Sequence, residues 1–216
     1  MKRKTVDGEF RNKERTKQKL LDAVGEILRT EGHAKLGVNN IASKAGVSKK
    51  LIYRYFEDVD TLIDTYIRQK DYWVALNEQV TGLIEENSHN FGKELAGGFL
   101  ENLFMHLDTL PETQKVILWE ISEKSKIMQE ISEIRETMGG ELFKMTDPYF
   151  EGSSIDIRAA YSIMLGGIYY LNLHANATGG TFCEIDLKTT DGKSRVSRML
   201  RVLIDHCFDE AKNKKS

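Results

Sequence analysis

The sequence predicts an all-α protein: an N-terminal three-helix unit with a helix-turn-helix, followed by a larger helical body. Three observations carry this. Only two of the 216 residues are proline, and both can stand at helix boundaries. Apolar residues recur at helical spacing through most of the chain. Finally, residues 39–56, NNIASKAGVSKKLIYRYF, read as two short helices joined by a glycine-containing turn.

In that stretch Ile41, Ala42 and Ala45 form a short apolar face. Gly46 can take the positive φ that ends a helix, and Val47 plugs the turn. Ser48 is a natural N-cap for a second helix carrying Lys49, Lys50, Tyr53, Arg54 and Tyr55. Cations and phenols together on a short helix after such a turn suit a DNA-reading helix. A helix that only packs in a hairpin has no reason to carry them.

The remaining elements follow in order. Residues 1–10 offer Lys2, Arg3 and Lys4 to a phosphate or a minor groove, or form a frayed solvated end. Residues 11–30 form an amphipathic helix with Leu20, Leu21, Val24, Ile27 and Leu28 on one face, closed by Gly32. His33 follows in a solvated loop. Asp58 is an N-cap for a long fourth helix from Thr61 to about Glu86, which ties head to body. A fifth helix spans about 91–107, and Pro111 opens PETQKVILWEIS at a first helical turn. The stripe Ile127, Ile131, Ile134, Met138, Leu142 gives a helix that ends before Pro148. Residues 155–175 are apolar nearly all round, so that helix is buried on more than one side. A Gly- and Thr-rich loop, 178–192, leads to a last helix over 193–211. The expected division is residues 10–58 for the head and 59–216 for the body.

Charge is unevenly spread. Residues 1–60 hold 14 Lys/Arg against 9 Asp/Glu, a balance of +5, while the other 156 hold 17 against 24, or −7. A basic head on an acidic body fits a polyanion-binding module joined to something else. Cys183 and Cys207 suit reduced thiols in a cytoplasmic protein. The N-terminus lacks the apolar segment of a secretory signal, and the most apolar run is too short for a bilayer, so no membrane partner is expected.

Residues 15–62, from RTKQKLLDAVGEILRTEG through VNNIASKAGVSKKLIYRYF to Leu62, resemble the N-terminal domain of TetR-type (TetR/AcrR) transcriptional regulators. The rest resembles the family in layout: an acidic, helical, dimerising and ligand-binding body. The resemblance implies base-edge contacts at Lys49 and Lys50, phosphate contacts at Tyr53 and Tyr55, and a phosphate-facing cap at Ser48, with Arg54 beside them. Lysine can reach guanine acceptors in the major groove, and tyrosine hydroxyls fix register on phosphates. Two positions depart from the pattern. Gly37 stands where the family usually has Thr or Ser, and Val59 stands between Asp58 and Asp60 where it usually has a lysine. Acidic groups there repel DNA; Lys35, Arg54 or the basic arm can compensate.

Other motifs carry no chemistry. Asp191-Gly192-Lys193-Ser194 echoes a phosphate loop, but Leu187 stands where that loop needs glycine. Glu86-x-x-His89 has di-iron spacing without the second copy such sites need. No metal, cofactor or catalytic constellation is expected, so the chain does not read as an enzyme. The resulting expectation is a homodimeric, ligand-responsive repressor on double-stranded DNA with a pseudo-palindromic operator. Alternatives are the same fold without a small-molecule inducer, or a helical enzyme. An unidentified small-molecule effector would meet Phe99, Leu103, Trp119 and Tyr170. The dimer seam would use Gly166, Gly167, Val196, Met199, Leu200, Leu203 and Ile204 on the last two helices. The fourth helix would carry the signal between effector and head.

Overall fold

The computed structural model describes residues 4–70, 80–87 and 90–213, and these are helices joined by short loops. They are α1 (Lys4–Thr30), α2 (Val38–Ala45), α3 (Lys50–Phe56), α4 (Val59–Lys70), α5 (Val80–Asn87), α6 (Lys93–His106), α7 (Pro111–Ser122), α8 (Lys126–Phe150), α9 (Ile157–Thr178) and α10 (Thr190–Asn213). Among the described residues the sole extended pairing is one bridge, Phe182 with Ile185. Whether α4 runs on unbroken into α5, as the expected helix to Glu86 requires, lies outside the described residues, as do Trp73, Leu76 and His89.

Several boundaries follow from capping. The Asp58 carboxylate accepts the Thr61 N–H at 2.7 Å, capping α4 as expected. Asp156 does the same for α9 through the Ala159 N–H at 3.0 Å. Gly46, at φ 64°, closes α2, with its own N–H on the Ser43 carbonyl and the Val47 N–H on the Ala42 carbonyl. Pro148 does not end α8, which runs on to Phe150. It sits in the last turn, where only one ladder bond is lost. Tertiary contacts hold the two residues beyond it: the Tyr149 hydroxyl donates to the Phe208 carbonyl at 3.2 Å, and the Phe150 and Phe208 rings meet edge-on at 4.8 Å.

Buried residues divide into two cores. The body core gathers α6, the inner faces of α9 and α10, and Met138 and Phe150 of α8. The other gathers α1, α2, α3 and α4 together with Val116, Trp119, Met128 and Ile131. The head's core is therefore completed by α7 and by the start of α8. In sequence the 58/59 division falls between α3 and α4, but the head's core continues past it through Leu62, Ile63, Tyr66 and Ile67.

Candidate nucleic-acid interface and body cavity

The helix-turn-helix is anchored from below. Ile41 and Ile52 are fully buried, and Phe56 nearly so, which fixes α3 against α1, α2 and α4. That anchoring turns Lys49, Lys50, Tyr53 and Arg54 outward, and Tyr53 is 54% exposed. Among the described residues none of Lys49, Lys50 and Arg54 forms an ion pair, so their charge faces water. Ser48 precedes α3: its carbonyl accepts the Leu51 N–H at 2.9 Å, and its hydroxyl lies 3.4 Å from the Lys50 nitrogen. Tyr55 is half-buried, with the Arg54 guanidinium 5.8 Å and the Lys13 ammonium 6.0 Å from its ring centre. Lys13 thus brings α1 to the edge of the α3 surface, a neighbour that spacing along the sequence does not reveal.

Beyond α3 the chain turns sharply. Glu57 has φ 72° and ψ −55°, and the Asp58 N–H reaches the Phe56 carbonyl at 2.8 Å, a strained three-residue turn. Asp58 spends its carboxylate on the cap, and the Thr61 N–H holds its carboxyl below the usual range. Gly37 precedes α2 without any side chain to offer a phosphate.

The head meets the body through a polar seam. Arg29 of α1 donates to Glu112 of α7 at 2.6 Å, and the Tyr66 hydroxyl donates to the same carboxylate oxygen at 3.3 Å. Burial, helped by Glu112, pushes the Tyr66 phenol up to about 12. His33 is not a solvated loop residue. Its ring stacks on Trp119 at 5.2 Å and 7°, and its Nε2 lies 3.5 Å from a Glu123 oxygen that also accepts the Trp119 indole N–H at 2.8 Å. The loop before α2 rests against α7 through this stack, a contact that local sequence could not announce.

The body encloses a cavity of about 350 Å³ between α6, α8 and α9, with Glu120 of α7 at one end. Of the expected effector residues, Phe99 is on its wall. Leu103 is buried in the body core, Trp119 sits in the seam, and Tyr170 is 55% exposed beside His174 and Phe182. The wall residues that sequence reasoning missed include Arg135, Phe143 and Tyr161. One signal existed for Arg135. It stands between Ile131 and Met138 on the apolar stripe of α8, where a charge points inward.

On the last two helices, Met199 and Leu203 are 53% and 43% exposed, and Gly166 is exposed. Gly167 and Val196 are half-buried. Leu200 and Ile204 correct the expected seam: they are 6% and 0% exposed and face the chain's own core. α10 is apolar on two sides, and α6 takes the side bearing Leu200, Ile204, Phe208 and Ala211. The Asp191–Ser194 stretch is the first turn of α10. Gly192 is buried there, because an added Cβ would lie 1.9 Å from the Asp186 carbonyl oxygen, and Lys193 pairs with Asp108. Both cysteines are free, and burial pushes the Cys207 thiol up. Among the described residues no helix is long and apolar enough to cross a membrane, and no cluster of His, Cys, Asp or Glu could hold a metal ion.

Comparison with known proteins agrees with this geometry. Residues 16–65 match the family model of bacterial regulatory proteins, tetR family. Among solved structures, a TetR transcription regulator from Haloarcula marismortui ATCC 43049 shares the fold with a TM-score of 0.57 at 16% identity, over 88% of this chain and 97% of that one. A protein assigned to the TetR-family transcriptional regulators from Mesorhizobium loti MAFF303099 gives 0.52 at 16%, over 91% and 96%. Among curated proteins no relative matches this sequence. The matched segment spans the head from α1 into α4, the elements that build the helix-turn-helix and present its cationic α3. Over residues 16–65 the chain is thus similar to the tetR family of bacterial regulatory proteins, and over most of its length it shares the fold of solved TetR regulators.

Proposed function

We propose that the chain is a ligand-responsive repressor that binds a pseudo-palindromic operator as a homodimer, with an effector seated in the body cavity. The observation that carries the DNA contact is the outward, unpaired row Lys49, Lys50, Tyr53 and Arg54 on a rigidly anchored α3. In this reading Lys49 and Lys50 read base edges, while Ser48, Tyr53, Arg54 and Tyr55 hold phosphates. Two apolar strips left in water, Ile163 with Tyr170 on α9 and Met199 with Val202 and Leu203 on α10, support dimerisation. A two-fold axis there would set two α3 helices about 34–36 Å apart, in successive major grooves.

The cavity supports the effector. It is walled mainly by apolar and aromatic side chains with a few polar groups among them, as small-molecule sites are. Among the described residues its walls come from α6, α7, α8 and α9, and α4 contributes none of them. The route to the head in this reading is therefore α7: Glu120 lines the cavity, while its neighbours Trp119 and Glu123 hold His33.

Binding-site selection with the full-length protein is expected to return an enriched palindrome. On that site Lys49→Ala or Lys50→Ala is expected to change preference at particular base pairs by about 1–3 kcal/mol. Tyr53→Phe is expected to weaken all sequences alike. A selection without an enriched palindrome rejects the reading.

A further inference from the structure

A smaller cavity, of about 160 Å³, lies between the end of α6, the C-terminal half of α9 and the loop that leads into α10. It shares no lining residue with the effector cavity. Phe104, Ala175 and Leu187, all buried, form its apolar part. Two amides one turn apart on α9, Asn172 and Asn176, also line it, and hydrogen bonds fix how both are turned. Asn172, only 6% exposed, donates its side-chain N–H to the Ile168 carbonyl at 3.0 Å. Asn176 is fixed through a relay. The Leu107 carbonyl can only accept, so Gln114 presents its N–H there at 2.6 Å and accepts the Asn176 N–H at 2.8 Å. Each asparagine is left with its carbonyl oxygen, and among the described residues neither oxygen accepts a hydrogen bond. For Asn172, almost wholly withdrawn from bulk water, such an acceptor calls for a donor. The charges are unequal as well. Lys193 is paired with Asp108, whereas Lys188 has no ion pair among the described residues. The Lys188 Nζ stands where α9 ends, 3.5 Å from the position a Cβ on Gly179 would take. The cavity therefore runs from a buried acceptor at Asn172 to an exposed, unmatched cation at Lys188.

We infer that this cavity is a second small-molecule site, for a small carboxylate that carries an uncharged hydrogen-bond donor at its other end. The carboxylate meets Lys188, the O–H or N–H donor meets the Asn172 carbonyl oxygen, and a short apolar middle lies on Phe104 and Leu187. A cavity of roughly 150 Å³ takes up benzene, so the space here suits a molecule of about six to eight non-hydrogen atoms. An ammonium in place of the uncharged donor would exchange its hydration for amide oxygens, since Asp108 is already matched, and would face two lysines.

The test is a nuclear magnetic resonance titration of the isotope-labelled full chain with four probes of one carbon skeleton: 3-hydroxybutyrate, butyrate, 3-aminobutyrate and 1,3-butanediol. Butyrate lacks the donor, 3-aminobutyrate carries a charged one, and the diol lacks the carboxylate. 3-Hydroxybutyrate is expected to shift the Asn172 side-chain amide signals and to bind about tenfold more tightly than each of the others. Asn172→Leu keeps the volume and removes the acceptor, so 3-hydroxybutyrate and butyrate are expected to bind it alike. Lys188→Gln, at an exposed position that does not threaten folding, is expected to weaken both carboxylates about tenfold and to leave the diol unchanged. The inference is overturned if no probe binds the unmodified chain, or if butyrate or 3-aminobutyrate binds it as tightly as 3-hydroxybutyrate. Unaltered discrimination in both variants overturns it as well. So do shifts that centre on Tyr161 instead of Asn172, which would place the probes in the larger cavity.

Discussion

Gly25 shows how a single residue fixes the head. A Cβ built on it would lie 2.2 Å from the Tyr66 hydroxyl, because α1 crosses α4 at this point. Tyr66 is 3% exposed and tied to Glu112, so it cannot swing away. Alanine within a helix normally gains about 1 kcal/mol over glycine. Here overpacking, typically about 1–3 kcal/mol, reverses the sign. Gly25→Ala is expected to lower unfolding stability in urea by about 1–2 kcal/mol. Tyr66→Phe in that background should return part of the loss, since the nearest atom is the hydroxyl. A double variant no more stable than Gly25→Ala would show that the clash is not the cause.

Among the elements, α7 does two jobs. Trp119 and Val116 complete the head's core, while Glu120, one residue on, lines the cavity. Trp119 therefore acts on the head directly, instead of on the effector as its aromatic character alone suggests. Trp119→Ala is expected to destabilise the chain by about 3 kcal/mol and to weaken operator binding even without effector. Unchanged thermal stability would remove Trp119 from the seam. The same helix carries a pH dependence. Burial is the largest single influence on the Glu112 carboxyl and raises it, but the Arg29 hydrogen bond and charge, a backbone N–H and the Tyr66 hydroxyl together outweigh it, and the net shift is downward. A depressed carboxyl contributes stability that is present above its unfolded value and lost as pH falls through its folded one. The unmodified chain is thus expected to lose more stability on acidification below about pH 4.5 than Glu112→Gln does. Parallel curves would show that the pair contributes nothing.

Over the whole molecule, the proposed dimer rests on the outer faces of α9 and α10. Leu203→Glu places a charge on an exposed position, so it is expected to give folded monomers by sedimentation with weakened operator binding. One half-site offers only part of the contacts. Leu200→Glu would bury a charge in the chain's own core and is a test of folding instead. An unmodified chain that sediments as a monomer at micromolar concentration would reject the dimer.

The sequence by itself determined the local features. The Gly46 turn, the Asp58 cap, Pro111 at its first turn and the cation-rich α3 all depend on residues a few positions apart, whose chemistry is complete within one or two helical turns. Tertiary structure decided what depends on partners far along the chain. α8 continues past Pro148 because Phe208 holds Tyr149 and Phe150. Leu200 and Ile204 turn inward because α6 covers one of two apolar faces that α10 presents alike. His33 is clasped because Trp119, distant in sequence, arrives beside it. The cavity is of the same kind: Phe99 lies on its wall and Tyr170 on the surface, although both are aromatic residues on apolar helices. Helical periodicity ranks faces by polarity, and only the packing of one helix against another chooses between two faces of equal rank.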